Sequence, residues 1–131
     1  MSARRPPQLP DTDSPLHSLP QAAFVDSVQK RYNALPEVIL KDQELLDLYL
    51  PALRADFEML ETYAYSSEAP LACSILALGG RDDARASREQ LAQWELQTVG
   101  AFDLTLFDGG HFYLQPQRES VLKTLSRNLL G

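Results

Sequence analysis

The chain has 131 residues, 44% hydrophobic and 23% charged, with 12 Lys and Arg against 18 Asp and Glu for a net charge of −6. A domain of this length buries roughly two thirds of the surface its unfolded form exposes, and the composition excludes wholesale disorder, a collagen-like repeat and a disulfide scaffold. The acidic balance, with only three lysines, excludes a general nucleic-acid binder, which presents a basic face, and no apolar run approaches the roughly 18 residues of a membrane helix.

The first twenty residues hold five of the nine prolines: Pro6, Pro7, Pro10, Pro15 and Pro20. Proline fixes φ and keeps its predecessor out of the helical region, so residues 1–19 read as an extended lead-in. Arg4 and Arg5 are followed by no apolar core, so no secretory signal is expected. A lone Cys73 suits a reducing compartment. Together these predict a cytoplasmic protein.

A helix is expected from Pro20, a favourable first-turn residue, to about Asn33, with Ala23, Phe24, Val28 and Tyr32 on one face. Asp42 is the expected cap of the next helix. There Leu46, Leu50, Leu53, Phe57 and Leu60 step by four, three, four and three, the strongest periodic signal in the chain and a predicted buried face. Pro51 interrupts that stripe and predicts a kink or break near Leu50. Residues 20–66 therefore form a helical block without strands.

The character then changes. Residues 71–78 (LACSILAL) are nearly continuously apolar and run into Gly79 and Gly80, the pattern of a strand buried on both faces. Cys73 lies within that run and reads as a buried structural thiol. Ser87 with Gln90 makes a capping box opening a helix that holds Leu91 and Trp94 and ends at Gly100. Phe102, Leu104 and Leu106 alternate with Asp103, Thr105 and Phe107 as a second strand. Pro116 opens a last helix with Val121, Leu122, Leu125 and Leu129 on one face. Residues 67–131 are thus strand, helix, strand, helix, a parallel unit with a right-handed crossover. The first strand is too apolar for a sheet edge, so further strands are expected beside it, from a missing N-terminal segment, a partner chain or a second copy.

Polar groups at the carboxyl ends of parallel strands are the default site in an open α/β sheet. The first strand leads into Arg81, Asp82 and Asp83, the second into Asp108, Gly109, Gly110 and His111. An Asp and a His delivered from adjacent strand ends can meet, the carboxylate orienting the imidazole as a general base. Asp82 and His111 are the candidates, with Asp83 and Asp108 as rival carboxylates. Their structural alternatives are a capping aspartate and a packed histidine, and His17 reads as a surface residue. There is no G-x-S-x-G elbow, C-x-x-C, H-E-x-x-H, P-loop or G-x-G-x-x-G. Neither metal nor cofactor is expected, and the Asp–His pair has no nucleophile beside it in the sequence. Arg81, Arg85 and Arg88 form the densest basic cluster, a solvated face before it is a phosphate site.

Several separated motifs, in order, make the chain resemble the C-terminal half of the type II thioesterases, α/β-hydrolases of polyketide and nonribosomal peptide synthesis. They are Ser2 to Pro7, Pro36-Glu37-Val38, Leu50 to Phe57 and on to Tyr63, Leu78 to Asp83, Trp94, and Gly109 to Phe112. The resemblance implies that residues 20–66 are a lid over an acyl channel. It implies a Ser–Asp–His triad with Asp82 as the orienting acid and His111 as the general base. The implied reaction is removal of acyl groups from the phosphopantetheine arm of acyl or peptidyl carrier domains, an editing activity. The family's serine and oxyanion hole precede the segment this chain resembles, so the chain alone is expected to be inactive without a nucleophile-bearing half. The alternatives are a non-catalytic module that binds carrier proteins or a synthetase, or an inactive fragment.

Overall fold

A computed structural model describes residues 1–131, which fall into two units, Pro10–Tyr65 and Met1–Leu9 together with Ser66–Gly131. The first unit is helical. Helix α1 (Gln21–Tyr32) starts after Pro20 and ends at Asn33 in the left-handed region (φ 48°). A single turn, α2 (Glu37–Leu40), precedes α3 (Gln43–Glu61). Asp42 caps α3, its Oδ1 accepting from the backbone N–H of Glu44 (3.0 Å) and Leu45 (3.3 Å), which satisfies donors that the helix itself leaves open.

Phe24, Val28, Leu35, Leu46 and Leu50 are buried in the core of this unit with Leu16, and Leu53 and Phe57 pack against them. The predicted stripe of α3 therefore buries its first two members and half-buries the next two, while Leu60 stays exposed. Helix α3 is continuous through Pro51, so the expected break near Leu50 does not occur. Pro51 and Asp47 both lie on the exposed side, where water can serve the carbonyl that the proline leaves without a donor.

His17 is not a simple surface residue. Its Nδ1 pairs with Glu61 Oε1 at 3.0 Å, and the same carboxylate accepts the backbone N–H of Leu16 (2.6 Å) and His17 (2.9 Å). Arg54 donates to the carbonyls of His17 and Leu19 (2.7 and 2.6 Å) while its guanidinium lies 4.3 Å above the Phe24 ring. Residues 16–19 are thus pinned to α3 by charge-assisted hydrogen bonds, which are stronger than neutral ones.

The second unit is a parallel sheet with a helical layer on each face. Strand β1 (Ile75–Gly80) pairs with β2 (Phe102–Phe107), Ile75 opposite Phe102 and Gly80 opposite Phe107. Side chains alternate across the sheet. Ile75 and Ala77 pack with Leu91, Trp94 and Leu104 on one face, and Leu76, Leu78 and Phe107 pack with Tyr113, Val121 and Leu125 on the other. Burial on both faces is what the apolar run predicts, but the continuous ladder begins at Ile75, with Leu71 making only an isolated parallel bridge to Thr98. Leu71 to Ser74 precede the strand, and Cys73 is exposed rather than buried within it.

Ser87 and Gln90 complete both bonds of their capping box at the start of α4 (Arg88–Ala92). A 3₁₀ turn (Gln93–Gln97) follows α4, ending the helical stretch before Gly100. Helix α5 (Arg118–Leu130) closes the chain, buries Val121 and Thr124, and leaves Leu122 and Leu129 on its exposed side. The free edge of β1 is met by the first residues of the chain. Ser2 forms a parallel bridge to Leu78, with Ala3 N–H donating to Leu78 O (2.8 Å) and Leu78 N–H to Met1 O (2.7 Å). Residues 1–9 are fastened further by the Trp94 indole N–H to Arg4 O (2.7 Å) and by Gln8 with Gln93 and Gln97.

Candidate functional site

The carboxyl ends of β1 and β2 are stitched together by backbone hydrogen bonds. Arg81 N–H donates to Phe107 O (2.9 Å) and Asp82 N–H to Gly109 O (3.0 Å). The two double glycines serve that closeness. A Cβ on Gly80 would lie 2.2 Å from Gly110 O and 2.5 Å from Gly109 O, both backbone atoms. Gly109 has φ +123°, a conformation that L side chains rarely adopt. The loop carrying His111 can therefore lie directly on the end of β1.

There the structure brings one of the rival carboxylates to His111. Asp82 is exposed, and it is Asp83 that meets His111: the imidazole Nδ1 lies 2.9 Å from Asp83 Oδ2. The Asp83 side chain has no exposure to solvent, whereas that of His111 is 29% exposed. The other carboxylate oxygen, Oδ1, accepts the backbone N–H of Arg85 (2.8 Å) and Ala86 (3.3 Å). These bonds form an Asx turn, which fixes the carboxylate in one orientation before it meets the imidazole. A carboxylate oxygen accepts, so donation of an Nδ1–H to Asp83 would leave the lone pair of a neutral His111 on Nε2. The rival Asp108 pairs with Arg81 Nε at 3.1 Å, both largely exposed, so this bridge adds little.

The spacing G-x-x-D is met twice, by Gly79 with Asp82 and by Gly80 with Asp83, so it does not choose between the two carboxylates. His111 stands where the sequence placed it, half-buried after Gly110, with Phe112 edge-on at 5.1 Å and 80°. Tyr113, which the sequence reading did not single out, is buried beneath the turn. Its ring stacks on Phe107 at 5.4 Å and 3°, and its hydroxyl lies 2.6 Å from Ser2 Oγ. Burial raises the Tyr113 phenol above its ordinary value; the Ser2 hydrogen bond opposes this and the Asp83 charge adds to it.

Cys73 precedes β1 while His111 follows β2, so the thiol sits at the opposite end of strands that span roughly 17–20 Å. No three His, Cys, Asp or Glu side chains converge where a metal could be held. The arrangement is a buried carboxylate orienting a partly exposed imidazole, a geometry that suits general acid–base chemistry.

Comparison with known proteins gives this pair a family context. The Thioesterase domain family matches residues 1–129. Thioesterase PikA5 of Streptomyces venezuelae is 39% identical over 130 residues, 99% of this chain and 46% of PikA5. The gramicidin S biosynthesis protein GrsT of Aneurinibacillus migulanus is 32% identical over 129 residues, 98% of this chain and 50% of GrsT. Among solved structures, the type II thioesterase BorB from the borrelidin biosynthetic cluster superposes with a TM-score of 0.83 at 34% identity, covering 98% of this chain and 52% of BorB. The chain spans about half the length of each of these three relatives.

Proposed function

The chain belongs to the thioesterase domain family, and on that premise we propose that it supplies the acid–base half of an acyl-thioester hydrolase in polyketide or nonribosomal peptide biosynthesis. His111 is the general base and Asp83 its orienting carboxylate, and the nucleophilic serine lies on a segment outside these 131 residues. One observation carries the reading. A fully buried carboxylate, held on Oδ1 by two backbone N–H groups, meets the Nδ1 of a partly exposed histidine at 2.9 Å at the strand ends.

In this reading His111 Nε2 takes the proton of the serine hydroxyl as its oxygen attacks the thioester carbonyl. The imidazolium, stabilised by Asp83, then protonates the departing pantetheine thiolate. In the second half-reaction the same nitrogen takes a proton from water as it attacks the acyl-enzyme, and returns it to the serine. The substrate class is an acyl group on the phosphopantetheine arm of an acyl or peptidyl carrier domain, and the role is editing. Relatives named for gramicidin S and borrelidin biosynthesis support that setting. Residues 20–66, which carry α1 to α3, take the part of the lid.

The test is a chimera in which the part of PikA5 that this chain does not match is fused ahead of Met1. Hydrolysis of an acyl-pantetheine thioester is expected in the chimera and absent from the 131-residue chain and from the His111→Ala chimera. Equal hydrolysis by the isolated chain, or by the His111→Ala chimera, refutes the reading.

A further inference from the structure

We propose that Tyr113 is a positioning residue for the His111–Asp83 pair, its buried hydroxyl tying the His111 turn through Ser2 to the strand that carries Asp83. This rests on the hydrolase reading for its kinetic consequence, though the tether itself is independent of it. The residues form a closed circuit. Asp83 follows the end of β1 by three positions, and His111 sits on Asp83. Two positions on, Tyr113 reaches Ser2 at 2.6 Å, and Ser2 is bridged back to Leu78 within β1. The other ties of this turn to β1 and its end are the Asp82–Gly109 backbone bond, the His111–Asp83 bond and the packing of the Tyr113 ring with Leu78.

Packing alone does not account for a tyrosine here. The ring, 1% exposed and stacked on Phe107, would be served equally by phenylalanine. The hydroxyl is a polar group that burial penalises unless it finds a partner. It finds one on the element lining the other edge of β1. Tyr113 also anchors the turn through its backbone, its N–H donating to Gly110 O (3.1 Å) and its carbonyl accepting Gln117 N–H (3.0 Å) at the entry to α5. The hydroxyl therefore sets the depth at which the whole turn, with His111 at its head, meets Asp83. Small displacements at such a site are costly, because a shift of about 1 Å can lower a rate by up to roughly 10²-fold.

Tyr113→Phe keeps the stacked ring and removes only the tether, and Ser2→Ala removes it from the other side. In the PikA5 chimera each substitution is expected to lower kcat by about tenfold with KM essentially unchanged, and the double variant to lose no more than either alone. In the 131-residue chain, the NMR signal of the His111 Nδ1 proton is expected to broaden or vanish in Tyr113→Phe while far-ultraviolet circular dichroism stays unchanged. An unchanged Nδ1 signal in both single variants overturns the inference, whatever the chimera does. Unchanged kcat in both, with His111→Ala inactive, overturns it too and leaves the hydrolase reading standing. An active His111→Ala chimera would instead sink the hydrolase reading, leaving the proton signal to decide the tether.

Discussion

Gly80 and Gly110 pass so closely that a Cβ on Gly80 would sit 2.2 Å from the Gly110 carbonyl oxygen. The obstructing atom belongs to the backbone, so it cannot swing aside as a side chain would. Gly80→Ala is expected to destabilise the chain by about 1–3 kcal/mol, the usual cost of forcing an extra methyl into a packed site, and to push the His111 turn off β1. Urea unfolding measures the first effect. An unchanged midpoint would show that the two strand ends are not in this contact.

Glu61 provides a second test, in the helical unit. Its carboxylate accepts the Leu16 and His17 backbone N–H groups and the His17 ring nitrogen, with 11% of its side chain exposed. Glu61→Ala leaves those donors without their acceptor, at an expected cost of about 1–3 kcal/mol. Amide hydrogen exchange at Leu16 and His17 should accelerate selectively. Retained protection at both amides would contradict the clamp.

The alkaline side of the stability profile follows from Tyr113. Its phenol is held above the ordinary value of 10.0, by burial first and by the Asp83 charge last, with the Ser2 hydrogen bond pulling the other way. As pH rises the unfolded chain loses this proton first, so between the two values the folded state holds more protons than the unfolded one. Stability then falls with rising pH. The contribution is complete below pH 10.0 and is lost as the pH climbs through the folded-state value. Tyr113→Phe should show a shallower decline in unfolding midpoint above pH 10.0 than the parent. Identical slopes would refute the assignment.

Much of this was legible in the sequence because it is local. The Asp42 cap, the Ser87–Gln90 capping box, the parallel strands and His111 each follow from residues within a few positions of one another. What was not legible depends on partners far along the chain. Asp82 and Asp83 are adjacent, and which one turns inward is decided by how the end of β1 is tied to Phe107 and Gly109. The apolar run from Leu71 shows hydrophobicity but not where the continuous ladder starts; it begins at Ile75 opposite Phe102, past the isolated Leu71–Thr98 bridge, which leaves Cys73 outside. His17 finds Glu61 forty-four positions away, a pairing no spacing announces. Pro51 is tolerated because the gap it leaves faces solvent.

The adjacent aspartates give the most direct test of the central claim, that His111 works as a base held by Asp83. Acyl-thioester hydrolysis by the PikA5 chimera would be compared for Asp83→Asn and Asp82→Asn. Asp83→Asn should lower kcat by roughly 10⁴-fold, the scale seen when a triad carboxylate is lost, while Asp82→Asn should leave it essentially unchanged. A large loss with Asp82→Asn and none with Asp83→Asn would contradict the account.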